Sequence, residues 1–331
     1  MTTPQLLPER FLLTPERLAA ALILVKLQPS PRAGMSGLPE VSDPVAALRG
    51  TNLVTSRGTL VAGAEAALRV AADPHRVVSI LSLFAGDPNL RQMTFIQGIE
   101  DTPVVVQRRD EQGWDLVLVP SVTQAVVMVD DLLSLSRLPS QPGSNELELD
   151  LAGYAALLAT ADVLQADRIA ARASRTKLLP TILSPERLAQ QLDAGLKAID
   201  TRWAVTAARL VAPVDLRHAT SRLPQGLVQL EQAGLVKIGQ GQASFTKAGF
   251  NVAGPLGYLL NASGLVATDI AVGDHASLRT MNIFRTMASI FGLIWTEVKE
   301  EDGKVRLREI SAAGGLSGIR AMLEPSKAAT P

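Results

Sequence analysis

One order of elements runs along this chain twice, and that repetition limits its fold more than any single motif. Leu13-Thr14-Pro15-Glu16-Arg17-Leu18 returns as Leu183-Ser184-Pro185-Glu186-Arg187-Leu188. Both read as helix starts. A hydroxyl stands at the N-cap, proline takes the first helical position, and a carboxylate lies in the first turn, where the helix dipole favours it. The hexapeptide alone is a common helix start, and the segments after it give it weight. Leu53-Val54 leads through Gly58 to a helix predicted over about 61–72, and Leu235-Val236 leads through Gly241 to one over about 247–260. A strand ladder comes after each. In the first half it is predicted near 77–84, 93–97, 104–108 and 115–119. In the second it is predicted near 265–272, 278–286, 290–299 and 304–310. Apolar helices over about 121–133 and 314–323 close the halves.

The last two strands of each half read as a hairpin, because Arg109–Gly113 and Glu300–Gly303 are polar segments ending in glycine. Between the halves, Pro139-Ser140-Gln141-Pro142-Gly143-Ser144-Asn145 has the composition of a linker. The predicted organisation is a first α/β repeat over 1–138 and a linker over 139–150. A helical insert (about 151–177) and the second repeat fill 151–324, and 325–331 is a flexible tail. The fold class expected is α+β: a pseudo-two-fold duplication with a mainly antiparallel sheet, flanking helical bundles and winged-helix-like elements.

Composition narrows the function. Hydrophobic residues make up 47% and charged residues 19%, which is a globular balance. Lys plus Arg is 32 and Asp plus Glu is 32. A nucleic-acid binder normally carries a basic excess, so a large basic face is disfavoured. The absence of cysteine excludes disulfides, thiolate nucleophiles and Cys-ligated metals. The apolar run Leu18–Val25 is too short to span a bilayer and has a mixed-charge approach, unlike a signal peptide. A cytoplasmic protein without membrane insertion is expected.

No constellation points to catalysis. His75, His218 and His275 are scattered without metal-ligand spacing. The acidic groups Asp130-Asp131, Glu146/Glu148/Asp150 and Glu300-Glu301-Asp302 read as solvated charge. Gly239-Gln240-Gly241 and Gly314-Gly315 lack the remaining residues of a phosphate loop. The expectation is therefore a non-enzyme with no cofactor and no metal.

Two binding readings remain. The helix predicted from Thr220 to Gln232, with the glycine turn at 239–241, is similar to the back half of a winged helix-turn-helix. A DNA-binding regulator built on it would use Arg217, Arg222, Gln225, Gln229 and Lys237. The other reading rests on a family resemblance. Leu53-Val54, Arg69-Val70-Ala71-Ala72-Asp73-Pro74, Val77–Phe84, Pro103–Arg109, Trp114–Pro120 and the helix with Val126-Val127 and Leu132-Leu133 resemble the EspG family of type VII secretion-associated proteins. The second half has the same outline with looser residues. The resemblance implies a pseudo-two-fold fold and a cytosolic chaperone that holds a secreted substrate pair, without catalytic residues. It also implies contacts from an inter-strand loop and the C-terminal helix, here Asp87, Leu90, Met93, Leu316, Ile319 and Met322. The expected partner is a protein. A monomer or a homodimer is expected, since two similar halves imitate a dimer.

Overall fold

The computed structural model describes residues 8–87, 89–98, 104–110, 113–137, 146–211, 215–270, 276–287, 289–297 and 303–324. The first half runs β1 (Glu9–Leu13), α1 (Pro15–Leu24), α2 (Pro44–Leu48), α3 (Ala62–Ala72), β2 (Arg76–Phe84), β3 (Arg91–Gln97), β4 (Val104–Asp110), β5 (Gly113–Val119) and α4 (Val122–Leu133). The second begins with β6 (Glu146–Asp150), α5 (Leu151–Ala173), β7 (Ile182–Leu183), α6 (Pro185–Lys197), α7 (Ala204–Val211) and α8 (Leu223–Gln232). It continues with β8 (Val236–Gly239), β9 (Gln242–Phe245), α9 (Lys247–Leu256), β10 (Leu259–Ile270), β11 (Ala276–Thr286), β12 (Ile290–Glu297), β13 (Lys304–Ile310) and α10 (Ala312–Leu323).

Among the described residues, ten strands form one antiparallel sheet in the order β1-β5-β4-β3-β2-β10-β11-β12-β13-β6. The order reads alike from either edge. Each half opens with its outermost strand, crosses to the centre of the sheet and builds its ladder from there back out to that edge strand. The halves meet where β2 pairs with β10, from Phe84 opposite Asn261 to Arg76 opposite Asp269. The α+β class with a large antiparallel sheet is thus what the chain adopts, and β4–β5 and β12–β13 are the antiparallel neighbours the sequence predicts.

Two predictions need correction. The segment 146–150 is not linker but the edge strand β6. Its Glu146 and Glu148 lie opposite Arg308 and Arg306 on β13, and Arg306 is 3.3 Å from the Glu148 carboxylate. Cross-strand charge pairing makes a strand of a segment whose own composition is too acidic to suggest one. The repeated hexapeptides, in turn, do not occupy matching places. The first leads from β1 into α1, whereas the positional counterpart of β1 is β6, which leads into α5. The second comes after β7, in a separate three-stranded sheet of order β7-β9-β8. So α5 stands where α1 stands and is not an insert. The hexapeptides match because both start helices: Thr14 and Ser184 each accept the N–H three residues on, at 3.3 and 3.2 Å. The Gly58 and Gly241 turns are both left-handed at glycine, at φ +77°. Each is succeeded by a helix, α3 or α9, that runs into a central strand.

Both faces of the sheet are covered, so alternation along a strand sorts residues between two cores. Val104 and Val106 enter one core and Val105 the other. On one face α4 and α10 pack together across both halves, covering Ile80, Phe95, Leu265 and Ile283 with Val129, Leu133 and Ile319. The opposite face is divided. Leu18 of α1 and Leu68 of α3 cover Phe11 and Leu116 in the first half, and helices α5 to α9 cover Phe284, Phe291 and Leu307 in the second. From Leu151 to Leu164 every residue of α5 is buried, as befits a helix surrounded by others.

Candidate partner-binding surface

Antiparallel pairing brings distant turns to one end of the main sheet. Phe84, the last residue of β2, pairs with Asn261, and Thr286, the last of β11, pairs with Leu259. The β2–β3 and β11–β12 turns therefore project from the same end, on either side of the start of β10. The α6–α7 connection is tied there as well, because the Thr201 hydroxyl donates to the Phe84 carbonyl at 2.9 Å. The α5 C-terminus reaches this end too. Its Arg168 guanidinium stacks on Tyr258, just before β10, and on Phe250, each at 5.0 Å.

The β2–β3 turn is held by its own polar groups. Asp87 accepts from the backbone N–H and the side-chain amide of Asn89, both at 2.9 Å, and these bonds lower its pKa. Arg91 lies 3.4 Å from the same carboxylate and 4.5 Å from the centre of the Phe84 ring. Gly86, at φ +79°, supplies the left-handed position. Leu90, beside these bonds, is 47% exposed. In the second turn Thr286 accepts from the Ser289 N–H and leaves Met287 72% exposed. Ile199, in the α6–α7 connection, is 80% exposed. Leu179, between α5 and β7, is 75% exposed.

Of the residues carried over by resemblance, Leu90 is exposed, while Asp87 and Leu316 are half-buried. Met93, Ile319 and Met322 are corrected to core positions, buried between the sheet and the α4–α10 pair. The face of α10 that looks apolar in sequence is the one it needs to cover the sheet. Met287 follows an apolar ladder strand, where strand spacing suggests a core residue, and is exposed instead. Ile199 and Leu179 escape sequence reasoning, because a single apolar residue in a loop has no period to betray it.

The DNA-reading alternative meets a different geometry. Gln229 turns inward and accepts the Asp150 N–H at 3.2 Å, beside α5. Arg217 bonds both oxygens of Asp215, and Arg222 lies 3.6 Å from Asp150 and 3.4 Å from the Gln225 amide oxygen. Lys237 is exposed. The arginines face carboxylates from their own surroundings, so no open basic stripe forms across these residues.

Among the described residues no group of three or more His, Asp or Glu side chains is arranged to hold a metal ion, and no helix is long and apolar enough to cross a membrane. The histidines described, His75 and His218, sit near Asp73 and Asp215, at 3.4 and 3.9 Å. His275 and Glu300-Glu301-Asp302 lie outside the described residues, as do 139–145 and 325–331. One carboxyl is strongly perturbed. Burial pushes Asp162 up to about 7, against the lowering effect of the Val205 and Ala204 N–H groups. Its oxygens accept those N–H groups at 3.0 and 2.6 Å, which places it at the N-terminus of α7 in a helix-capping role.

No protein-family model matches the chain, and no curated protein matches it. Among solved structures it is similar to the Mycobacterium tuberculosis type VII secretion system chaperone EspG5, which was solved in complex with the PE25–PPE41 dimer. The identity is 11%, the TM-score 0.48, and the alignment covers 96% of each chain. At that identity and score, neither partner nor activity transfers from one chain to the other.

Proposed function

We propose that this chain is a non-catalytic adaptor or chaperone that binds a partner protein through the sheet end carrying the β2–β3 and β11–β12 turns. The observation that carries the reading is the exposure of Leu90, Ile199 and Met287 on separate connections gathered at that end. Single exposed apolar residues are ordinary, whereas several on neighbouring loops are a common feature of interaction surfaces. Methionine suits such a surface because its thioether chain adapts to what it meets. The sequence resemblance to EspG proteins adds a candidate class of partner, a secretion substrate held in the cytoplasm before export.

The test compares wild-type protein with a Leu90→Asp/Met287→Asp variant as bait in native lysate. A stoichiometric protein retained by the wild type at high salt and lost by the variant supports the reading. Equal capture by the folded variant would rule this surface out, and recovery of DNA in place of protein would reverse the reading.

A further inference from the structure

In the first half, α2 and the turn between Val54 and Leu60 enclose a groove of about 410 Å³, lined among others by Val45, Arg49, Thr51, Val54, Ser56 and Arg57. The turn is ordered. The Thr55 N–H donates to the Thr59 carbonyl at 2.7 Å, the Gly58 N–H to the Thr55 carbonyl at 3.0 Å, and the two threonine hydroxyls lie 2.8 Å apart. Gly58, at φ +77°, backs onto Val45 so closely that a Cβ there would lie 3.3 Å from its Cγ1. Gly58 and Val45 are thus in close contact at the groove wall.

The threonines of the groove are bonded locally, but its cationic side chains and two of its N–H groups are left without internal partners. Among the described residues, neither the Arg49 nor the Arg57 side chain makes an ion pair or hydrogen bond, and the Gly50 and Ser56 N–H groups have no acceptor. Arg69, Arg91, Arg202 and Arg217, by contrast, each face a nearby carboxylate. No carboxylate lines the groove. An adjoining recess of about 300 Å³, reached past Gly58, adds Lys26, and its one acid, Glu65, is already paired with Arg69. In a chain whose formal charge is zero, this is a local excess of uncommitted cations.

We infer that this groove binds an acidic peptide segment, with two carboxylates on Arg49 and Arg57 and an aliphatic side chain between them against Val45 and Val54. Guanidinium forks match carboxylates in a bidentate geometry. The two valines favour a peptide over a bare oxyanion, which would leave them uncovered, and no aromatic side chain lines the groove to stack a base. The inference is independent of the surface at the sheet end.

The experiment titrates the ¹⁵N-labelled full chain with a capped Glu-Val-Glu peptide, its Gln-Val-Gln counterpart and inorganic phosphate. It is repeated with the Arg49→Gln/Arg57→Gln variant, whose thermal midpoint should match the wild type because both side chains are exposed. Expected are shifts centred on residues 45–58 with the acidic peptide, none with the amide peptide, and about tenfold weaker binding by the variant. No shifts with the acidic peptide, undiminished binding by the variant, or binding of the amide peptide or of phosphate as tight as that of the acidic peptide would each overturn the inference.

Discussion

Asp162 shows how one side chain joins two elements at a measurable cost. The carboxyl sits inside the second-half core and caps α7, and burial outweighs its two N–H bonds in setting its affinity for a proton. Its pKa is about 7 in the folded chain, against an ordinary 3.8. The folded state therefore binds the extra proton across that window, and unfolding free energy falls as pH rises through it. Urea unfolding from pH 4 to 8 should show this decline in the wild type, with the Asp162→Asn variant flatter in the difference curve. Gly264 is constrained by shape instead of charge. A Cβ there would run into the Val211 carbonyl, which also accepts the Asn282 amide at 2.7 Å. Gly264→Ala should push the end of α7 off the sheet and destabilise the fold by roughly 1–3 kcal/mol, read from chemical denaturation.

At the scale of elements, α10 owes its seat to more than apolar contact. Arg279 on β11 donates to the Ala321 and Glu324 carbonyls at 2.9 and 3.1 Å, meeting acceptors that the helix end leaves free. It also lies 3.7 Å from Asp269, whose carboxylate is 3.0 Å from the buried Arg76 of β2. The helix that closes the second half is thus anchored to the seam between the halves. Arg279→Met keeps the aliphatic stem and removes the donors. Hydrogen exchange should then quicken in the last turn of α10 before any other helix responds. The helix starts were legible in the chain because a cap is a local device. The place of α6 was not, since Ser184 caps its helix equally well whatever sheet lies beside it.

Considered whole, one ten-stranded sheet runs through both halves and ties them together. The β2–β10 ladder supplies backbone partners to both, and around it Ser82, Ser263 and Asn261 bond one another in a buried cluster, at 2.7 to 3.0 Å. Separating the halves would bare two central strands and strand those polar groups. Chemical unfolding should therefore be a single transition by tryptophan fluorescence and far-ultraviolet circular dichroism alike. Residues 8–137 expressed alone should aggregate or stay partly folded. Two resolved transitions, or an independently stable first half, would contradict this dependence.

The chain by itself determined what depends on near neighbours: helix starts at Thr14 and Ser184, the alternation of β4, the glycine turns, the ladders and their closing helices. Each rests on capping, backbone freedom or periodicity, which act over a few residues. Tertiary structure decided the rest. It made a strand of Glu146–Asp150 by laying arginines beside it and buried Met93, Ile319 and Met322 under the α4–α10 pair. It also brought Leu90, Ile199 and Met287 to one end of the sheet. Those outcomes come from strand order and register, which join residues more than a hundred positions apart, and no local pattern encodes such a meeting.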